Sequence, residues 1–240
     1  MRFLFGILGV FAASSVSAEC VPKENVLISD CAGPLRVQLV KADNFGPLGT
    51  DALAVTGTYS SGDRLGIEGL AVLNGSIESR RLQSWDGVLI LSPSGKPSIF
   101  NARDVTFGGA AYNIKDPDAA TQLLEAVAAH GSSMIQSHLL ISNGVLDLRD
   151  VANAPVFYRR LFYVRHDGEF GVWQPPERLS LYDAAVQLQD ELQPKMALNL
   201  DMGAYDFCQF GDGRDCGRLT VTFDRLTNIL VFTPQDDERS

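Results

Sequence analysis

The residues of this chain best placed to do chemistry are an amide and a carboxylate near the end of a short apolar run. The run spans residues 197–200, contains Asn199, stops at Asp201 and is followed by Gly203. A strand that ends in a carboxylate and a glycine-containing turn places the carboxylate at a sheet edge, where a rigid scaffold meets an open loop. Asp201 is therefore a candidate acid, base or nucleophile. The simpler interpretation is a turn in which Asp201 bonds the neighbouring backbone.

Two helices and many short strands must position this segment. Asp116 followed by Pro117 predicts the start of one helix, and Ser180 with Asp183 predicts the start of the other. Alternating apolar residues and tight turns predict strands at residues 34–42, 51–57, 68–73, 85–91, 98–102, 134–141, 145–148, 159–165, 169–173, 197–201, 218–223 and 228–232. We therefore predict an α+β fold, with a mixed, largely antiparallel sheet of many short strands and two main helices.

The N-terminus has the pattern of a signal peptide. Met1-Arg2 is a short basic start, residues 3–11 are almost continuously apolar, and Val16-Ser17-Ala18 is a small-residue cleavage pattern. We expect residues 1–18 to be removed and residues 19–240 to form one exported domain, periplasmic or secreted. The apolar part is too short to span a bilayer, so no membrane span is expected.

The charge of the chain limits its possible partners, and its cysteines predict disulfides. The formal charge is -9 and the pI about 4.8, which disfavours nucleic acid as a partner. The four cysteines of an exported chain predict disulfides, in one of three possible pairings. Proximity along the chain favours Cys20 with Cys31 and Cys208 with Cys216. The three histidines are scattered, so no zinc site and no cofactor are predicted.

Several segments occur in an order that resembles the phosphodiester glycosidase domain family. The first half contains residues 57–59 (GTY), 68–75 (EGLAVLNG) and 86–95, and the second contains Gln136-Ser137, Arg159, Asp167-Gly168 and residues 197–201 (ALNLD). The resemblance covers roughly residues 35 to 233. It implies hydrolysis of a sugar-1-phosphodiester outside the cytoplasm, with a carbohydrate or sugar-phosphodiester as the ligand.

The resemblance also implies roles for individual residues. Asp201 would be the catalytic carboxylate, and Arg159 would bind the phosphate through parallel guanidinium donors. The substrate-binding set predicted in this way is Asn199, Gln136, Tyr59, Gly57, His138 and Gly203. For two members the alternatives stay open, because Arg159 also fits a surface strand arginine and His138 also fits a core histidine in an apolar run.

The chain departs from the family pattern at several positions. Val88-Leu89 replaces a polar and an aromatic residue, His138-Leu139 replaces a common Gly-Pro, and Met202 and Tyr205 crowd the turn after Asp201. Two hypotheses follow: an exported phosphodiester glycosidase with an altered site, or a catalytically silent member that binds a glycan or has a structural role. The sugar, the oligomeric state and any dependence on a divalent ion are left open by the sequence.

Overall fold

Strands dominate the fold. The computed structural model describes residues 24–28, 35–61, 66–202, 206–218 and 225–235. Strands account for 41% and helices for 15% of this structure, and its four sheets are antiparallel. The predicted α+β class was therefore wrong, because the two helices only cover the outer faces of sheets in a mostly β molecule. Capped helices give the stronger sequence signal, whereas strands of two to five residues leave little periodicity to read.

The largest sheet has six strands and contains the segment that ends at Asp201. Its spatial order is β1 (Val26–Ile28), β14 (Phe170–Trp173), β13 (Arg160–Val164), β15 (Met196–Leu200), β11 (Leu139–Ser142) and β12 (Val145–Leu146). In the pairing of β13 with β15, Arg160 lies opposite Leu200 and Leu161 opposite Asn199.

Three further sheets are formed by the described residues. The five-stranded sheet has the order β5 (Ser76–Arg80), β4 (Leu70–Leu73), β10 (Ser133–Ser137), β6 (Gly87–Leu91) and β7 (Pro97–Asn101). The four-stranded sheet has the order β16 (Cys208–Phe210), β3 (Leu53–Thr56), β17 (Asn228–Pro234) and β2 (Leu35–Lys41). A small hairpin pairs β8 (Val105–Phe107) with β9 (Ala110–Tyr112).

Alternation along the strands divides the interior into layers. In β6, Leu89 and Leu91 face the central core shared by the three larger sheets, whereas Val88 and Ile90 face the outer cluster. In β13, Phe162 faces the central core, and Leu161 and Tyr163 face the opposite side. Successive strand residues point to opposite faces of a sheet, so strands buried on both faces appear in the sequence as continuous apolar runs.

Each helix covers the outer face of one sheet. Helix α1 (Pro117–Ala129) packs on the five-stranded sheet, and α2 (Leu181–Leu192) packs on the six-stranded sheet. The Asp116 side chain accepts hydrogen bonds from the first-turn amides of α1, and the Ser180 hydroxyl accepts one from Asp183 N at 3.0 Å. Both predicted helix starts are therefore confirmed. A short 3-10 helix spans Ala42–Asn44.

Residues 134–141 were predicted to form one strand, and this prediction was wrong because they belong to two strands. The chain leaves β10 at Ser137 and enters β11 at Leu139, so His138 is the point at which it passes from the five-stranded to the six-stranded sheet. A single apolar run does not reveal such a passage, because pairing partners far along the chain decide it.

Other predictions concern the ends of the chain and its loops. Cys208 and Cys216 form the predicted disulfide. Cys20, Cys31, the signal peptide and residues 219–223 of the strand predicted at 218–223 lie outside the described residues. Within the described part of the chain, no helix is long and apolar enough to cross a membrane.

Candidate functional site

Asp201 lies where the ends of two sheets meet. It follows the last residue of β15, and its backbone N–H donates to Gly57 O at 2.8 Å, directly after β3. Only 4% of Asp201 is exposed. The backbone of Asp201 is therefore held between the six-stranded and the four-stranded sheets, which is a more rigid setting than a surface turn.

Asn199 lies in β15, two residues before Asp201, and its side chain contacts Tyr59, on which the charge of Asp201 also acts. Its Nδ2 donates to Tyr59 Oη at 2.6 Å and to Leu200 O at 2.7 Å. The carbonyl of Leu200 requires a donor, which fixes the amide orientation and leaves Oδ1 as an acceptor. Asn199 Oδ1 is buried without a hydrogen-bond partner among the described residues. A buried unsatisfied acceptor is costly, so this atom is suited to a ligand hydroxyl or a water molecule.

Tyr59 is the residue on which the other polar groups of this region converge. Burial raises the pKa of Tyr59 to about 12, and the negative charge of Asp201 acts in the same direction. Hydrogen bonds with Asn199 and Ser137 and the charge of Arg159 oppose that increase. The Tyr59 hydroxyl therefore stays protonated at neutral pH and can donate a hydrogen bond.

An aromatic cluster lies beside this hydroxyl. The ring centroid of Tyr59 is 4.7 Å from that of Trp85 and 5.9 Å from that of His138, and Trp85 and His138 are 5.3 Å apart. Burial, followed by the charge of Arg159, lowers the pKa of His138, and Asp86 opposes this. His138 is thus neutral at pH 7. Its backbone carbonyl accepts from Asn199 N at 3.0 Å, which ties the passage between the two sheets to β15.

Arg159 is nearly buried immediately before β13. Its Nε donates to Leu179 O at 3.0 Å and its Nη2 to Pro155 O at 3.3 Å, and the guanidinium lies 5.1 Å from the Phe157 ring centroid. Burial lowers the pKa of Arg159, and Tyr59 opposes this. The positive charge of Arg159 therefore acts on the Tyr59 hydroxyl, although two of its nitrogens already bind backbone carbonyls.

Gln136 and Gly57 fix backbone around the site. The Gln136 amide makes four backbone hydrogen bonds, accepting from Leu70 N and Gln83 N and donating to Gln83 O and Trp85 O. Because one of these bonds is to Trp85 O, the Gln136 side chain fixes the backbone position of Trp85. At Gly57 a Cβ atom would collide with Asn228 Oδ1, which accepts from Thr58 N at 2.8 Å. Only glycine allows this close approach.

Arg160, the neighbour of Arg159, belongs to a separate buried network. Its Nη2 forms an ion pair with Asp206 Oδ1 at 2.8 Å, and its Nε donates to Gln174 Oε1 at 2.8 Å. Gln174 in turn donates to Cys216 O at 2.9 Å, inside the disulfide loop. Both side chains of the ion pair are fully buried.

The turn after Asp201 is described only at its start. Met202 is buried, with 4% of its surface exposed, whereas Gly203 and Tyr205 lie outside the described residues. Among the residues that the structure describes, no three His, Cys, Asp or Glu side chains are grouped as metal ligands. Two acids after this turn have cationic partners: Asp206 pairs with Arg160, and Asp212 pairs with Arg214 at 2.6 Å.

The structure thus brings Tyr59, His138, Asn199, Asp201 and the charge of Arg159 together, and it places Gln136 and Gly57 in the surrounding scaffold. Sequence reasoning did not place Ser137 or Trp85 in the predicted set of site residues. Ser137 Oγ donates to Asn199 O, and Trp85 packs on Tyr59. No local signal distinguished them, because their role depends on contacts with distant segments.

Comparison with known proteins agrees with a distant fold relationship. No family model and no curated protein sequence matches the chain. Among solved structures, the chain is similar to the zebrafish N-acetylglucosamine-1-phosphodiester alpha-N-acetylglucosaminidase catalytic domain auto-inhibited by its pro-peptide. The TM-score is 0.51 at 15% identity, over 84% of this chain and 73% of that one.

A hypothetical protein from Synechocystis is similar with a TM-score of 0.50 and 14% identity. That match covers 84% of this chain and 57% of the Synechocystis chain. The fold is therefore one that a phosphodiester glycosidase domain also has. At these identities the likeness concerns the fold alone.

Proposed function

We propose that this chain is an exported hydrolase that cleaves a sugar-1-phosphodiester, with Asp201 as the catalytic carboxylate and Arg159 as the phosphate-directed cation. The observation that carries the proposal is the convergence on the Tyr59 hydroxyl. It receives a hydrogen bond from Asn199 at 2.6 Å, and the charges of both Asp201 and Arg159 act on it. Segments around residues 59, 159 and 200 thus supply an acid, a cation, an amide and a hydroxyl to one place.

One carboxylate is chemically sufficient for this substrate class. Ordinary glycosides need a second carboxylic acid to protonate the departing oxygen. A phosphomonoester leaves as a stable anion near neutral pH, because its second pKa is only about 6. Asp201 can therefore act as nucleophile or as base towards water, while a neighbouring guanidinium stabilises the charge that develops on the phosphate.

The remaining groups suit recognition of a sugar. Asn199 Oδ1 is an acceptor without a partner among the described residues, and the protonated Tyr59 hydroxyl is a donor. The rings of Trp85 and Tyr59 offer flat apolar faces of the kind on which sugar rings stack. The Cys208–Cys216 disulfide supports export to an oxidising compartment, where such an envelope or secreted substrate would be found.

The decisive experiment is hydrolysis of sugar-1-phosphodiesters by the chain from Glu19 onward. Methyl 1-phosphodiesters of N-acetylglucosamine, glucose and mannose form the panel, and release of free sugar is measured. Asp201→Asn keeps the size of the side chain and removes its charge, so kcat should fall by about a thousandfold or more. Asp43→Asn removes an exposed carboxylate elsewhere and should leave kcat unchanged.

A second candidate function is glycan binding without turnover, and the burial of Met202 beside Asp201 favours it. A large side chain packed directly after the carboxylate leaves less room for the water that hydrolysis needs. If no diester is cleaved while calorimetry detects equal binding of the same diesters by the native protein and Asp201→Asn, the hydrolase proposal is wrong and the binding function replaces it.

A further inference from the structure

A cationic cleft lies at the opposite end of β15 from Asp201. It has a volume of about 430 Å³ and is formed by β7, by the turns after β11 and β13, and by the start of β15. A cavity of this size is in the range that holds a small organic ligand. Lys195 lines this cleft, and six residue steps separate it from Asp201. At the usual rise along a strand, they are roughly 20 Å apart.

The charge of this cleft is opposite to that of the whole molecule. Lys96, Arg165 and Lys195 line it, whereas Asp104 is the only acid among the described residues that line it. The chain as a whole carries a formal charge of -9. Arg165 forms an exposed ion pair with Glu169 at 3.2 Å, which neutralises part of that local charge. The lysines keep the cleft cationic.

The two lysines have no ionic partner among the described residues. Lys96 and Lys195 are exposed, and each ion pair found in this part of the chain joins other residues. Two ammonium groups that face one cleft repel each other unless an anion lies between them. The arrangement therefore favours an anionic ligand over a neutral one.

The backbone that carries these cations is cross-linked. Lys195 N donates to Val164 O at 2.9 Å, and Lys195 O accepts from Gly144 N at 2.8 Å. Lys96 follows a tight turn in which Gly95 N donates to Ser92 O at 2.8 Å. The lysine backbones are thus fixed before any ligand arrives, which lowers the entropic cost of binding.

The remaining lining residues suit a polyhydroxylated molecule. Ser98, Asn101 and Asn143 supply hydroxyl and amide groups, and the partly exposed Phe100 supplies an aromatic surface. We propose that this cleft is a second binding site, for a saccharide that carries a carboxylate or a phosphate. Such a site would hold an acidic polymer by a segment remote from Asp201, which increases the effective concentration of its other segments.

The test is calorimetric titration of the chain from Glu19 onward with three probes. Tetragalacturonate carries carboxylates, glucose 6-phosphate carries a phosphate, and maltotetraose is neutral. We expect at least one anionic probe to bind, with an affinity that falls as salt is added. In Lys96→Gln/Lys195→Gln the affinity should drop by about tenfold or more, because two charge-assisted contacts are lost.

Matched variants separate this site from the site at Asp201. Arg149→Gln/Arg178→Gln removes the same charge from exposed positions outside the cleft lining and should bind the probes as the native protein does. Asp201→Asn should also bind them normally. Equal binding by the lysine double variant, equal binding of maltotetraose, or failure of both anionic probes to bind would overturn the proposal, whatever the result of the hydrolysis assay.

Discussion

Two neighbouring arginines show how the same residue types build two different environments in this molecule. Arg160 is fully buried and bonded to Asp206, Gln174 and the backbone carbonyl of Phe207. Arg159 binds two carbonyls, and its charge acts on Tyr59 and His138. Successive strand residues point to opposite faces, so one position along the chain separates the two regions.

The two regions differ in whether their polar groups already have hydrogen-bond partners within the protein. Around Arg160, the carboxylate and the amide are consumed by contacts within the protein, and the network ties β13 to the disulfide loop. Around Tyr59, one buried acceptor of Asn199 has no partner among the described residues, and charges of opposite sign act on a protonated hydroxyl. A hydrogen-bond network in which every polar group has a partner stabilises the structure, whereas a network with an unpaired acceptor can bind a ligand.

The largest effect on stability is expected from Arg160→Met. This change removes the buried ion pair between Arg160 and Asp206, which should lower the free energy of unfolding by about 3–5 kcal/mol. Urea denaturation of the native protein and the variant measures it. Adding Asp206→Asn to the variant should recover part of the loss, because the buried charge is then removed. A small loss in the single variant would remove the distinction between the two arginines.

Arg159→Ala is expected to act mainly on activity, with an effect that is smaller, as a free energy, than that of Arg160→Met on stability. On the proposed mechanism, loss of the phosphate-directed cation should lower kcat/KM for a sugar-1-phosphodiester by about a hundredfold. The free energy of unfolding should fall by about 2 kcal/mol, because two hydrogen bonds to carbonyls are lost. Arg159→Lys keeps the charge and should be intermediate. If the alanine variant loses stability as Arg160→Met does, Arg159 is structural too.

The third expected effect is a pH dependence of stability that reports on Tyr59. Because the folded-state pKa is raised to about 12 from 10.0, the contribution of Tyr59 is fully present below pH 10 and is lost as the pH rises towards 12. The total loss is about 2–3 kcal/mol. Tyr59→Phe lacks this dependence, so the stability curves of the two proteins should converge between pH 10 and 12. Parallel curves across that range would show that Tyr59 is not held protonated by its surroundings.

Local features of the fold were predictable from the sequence. The helix starts at Asp116 and Ser180 depend on side chains that bond amides two or three residues away. The Asn143-Gly144 turn requires positive φ at both positions, which asparagine and glycine adopt at low cost. The fold class was wrong, however, because strands of three residues such as β8 carry almost no periodic signal.

The candidate site was only partly predictable. Asp201, Asn199, Tyr59 and Arg159 were chosen from the sequence, and the structure brings them to one region. Their roles remain proposals. The contributions of Trp85 and Ser137 depend on contacts across more than fifty residues of chain, for which no local pattern exists.

The sequence by itself determined the helix caps and the tight turns, and it favoured the pairing of Cys208 with Cys216, because each depends on groups a few residues apart. Only the tertiary structure decided that the chain changes sheets at His138, that Arg160 rather than Arg159 forms the buried ion pair, and that Tyr59 meets Asn199. Those outcomes depend on which distant strands pair and in which register. Register is decided by burial across the whole core, and a shift of one residue would exchange the faces of the two arginines.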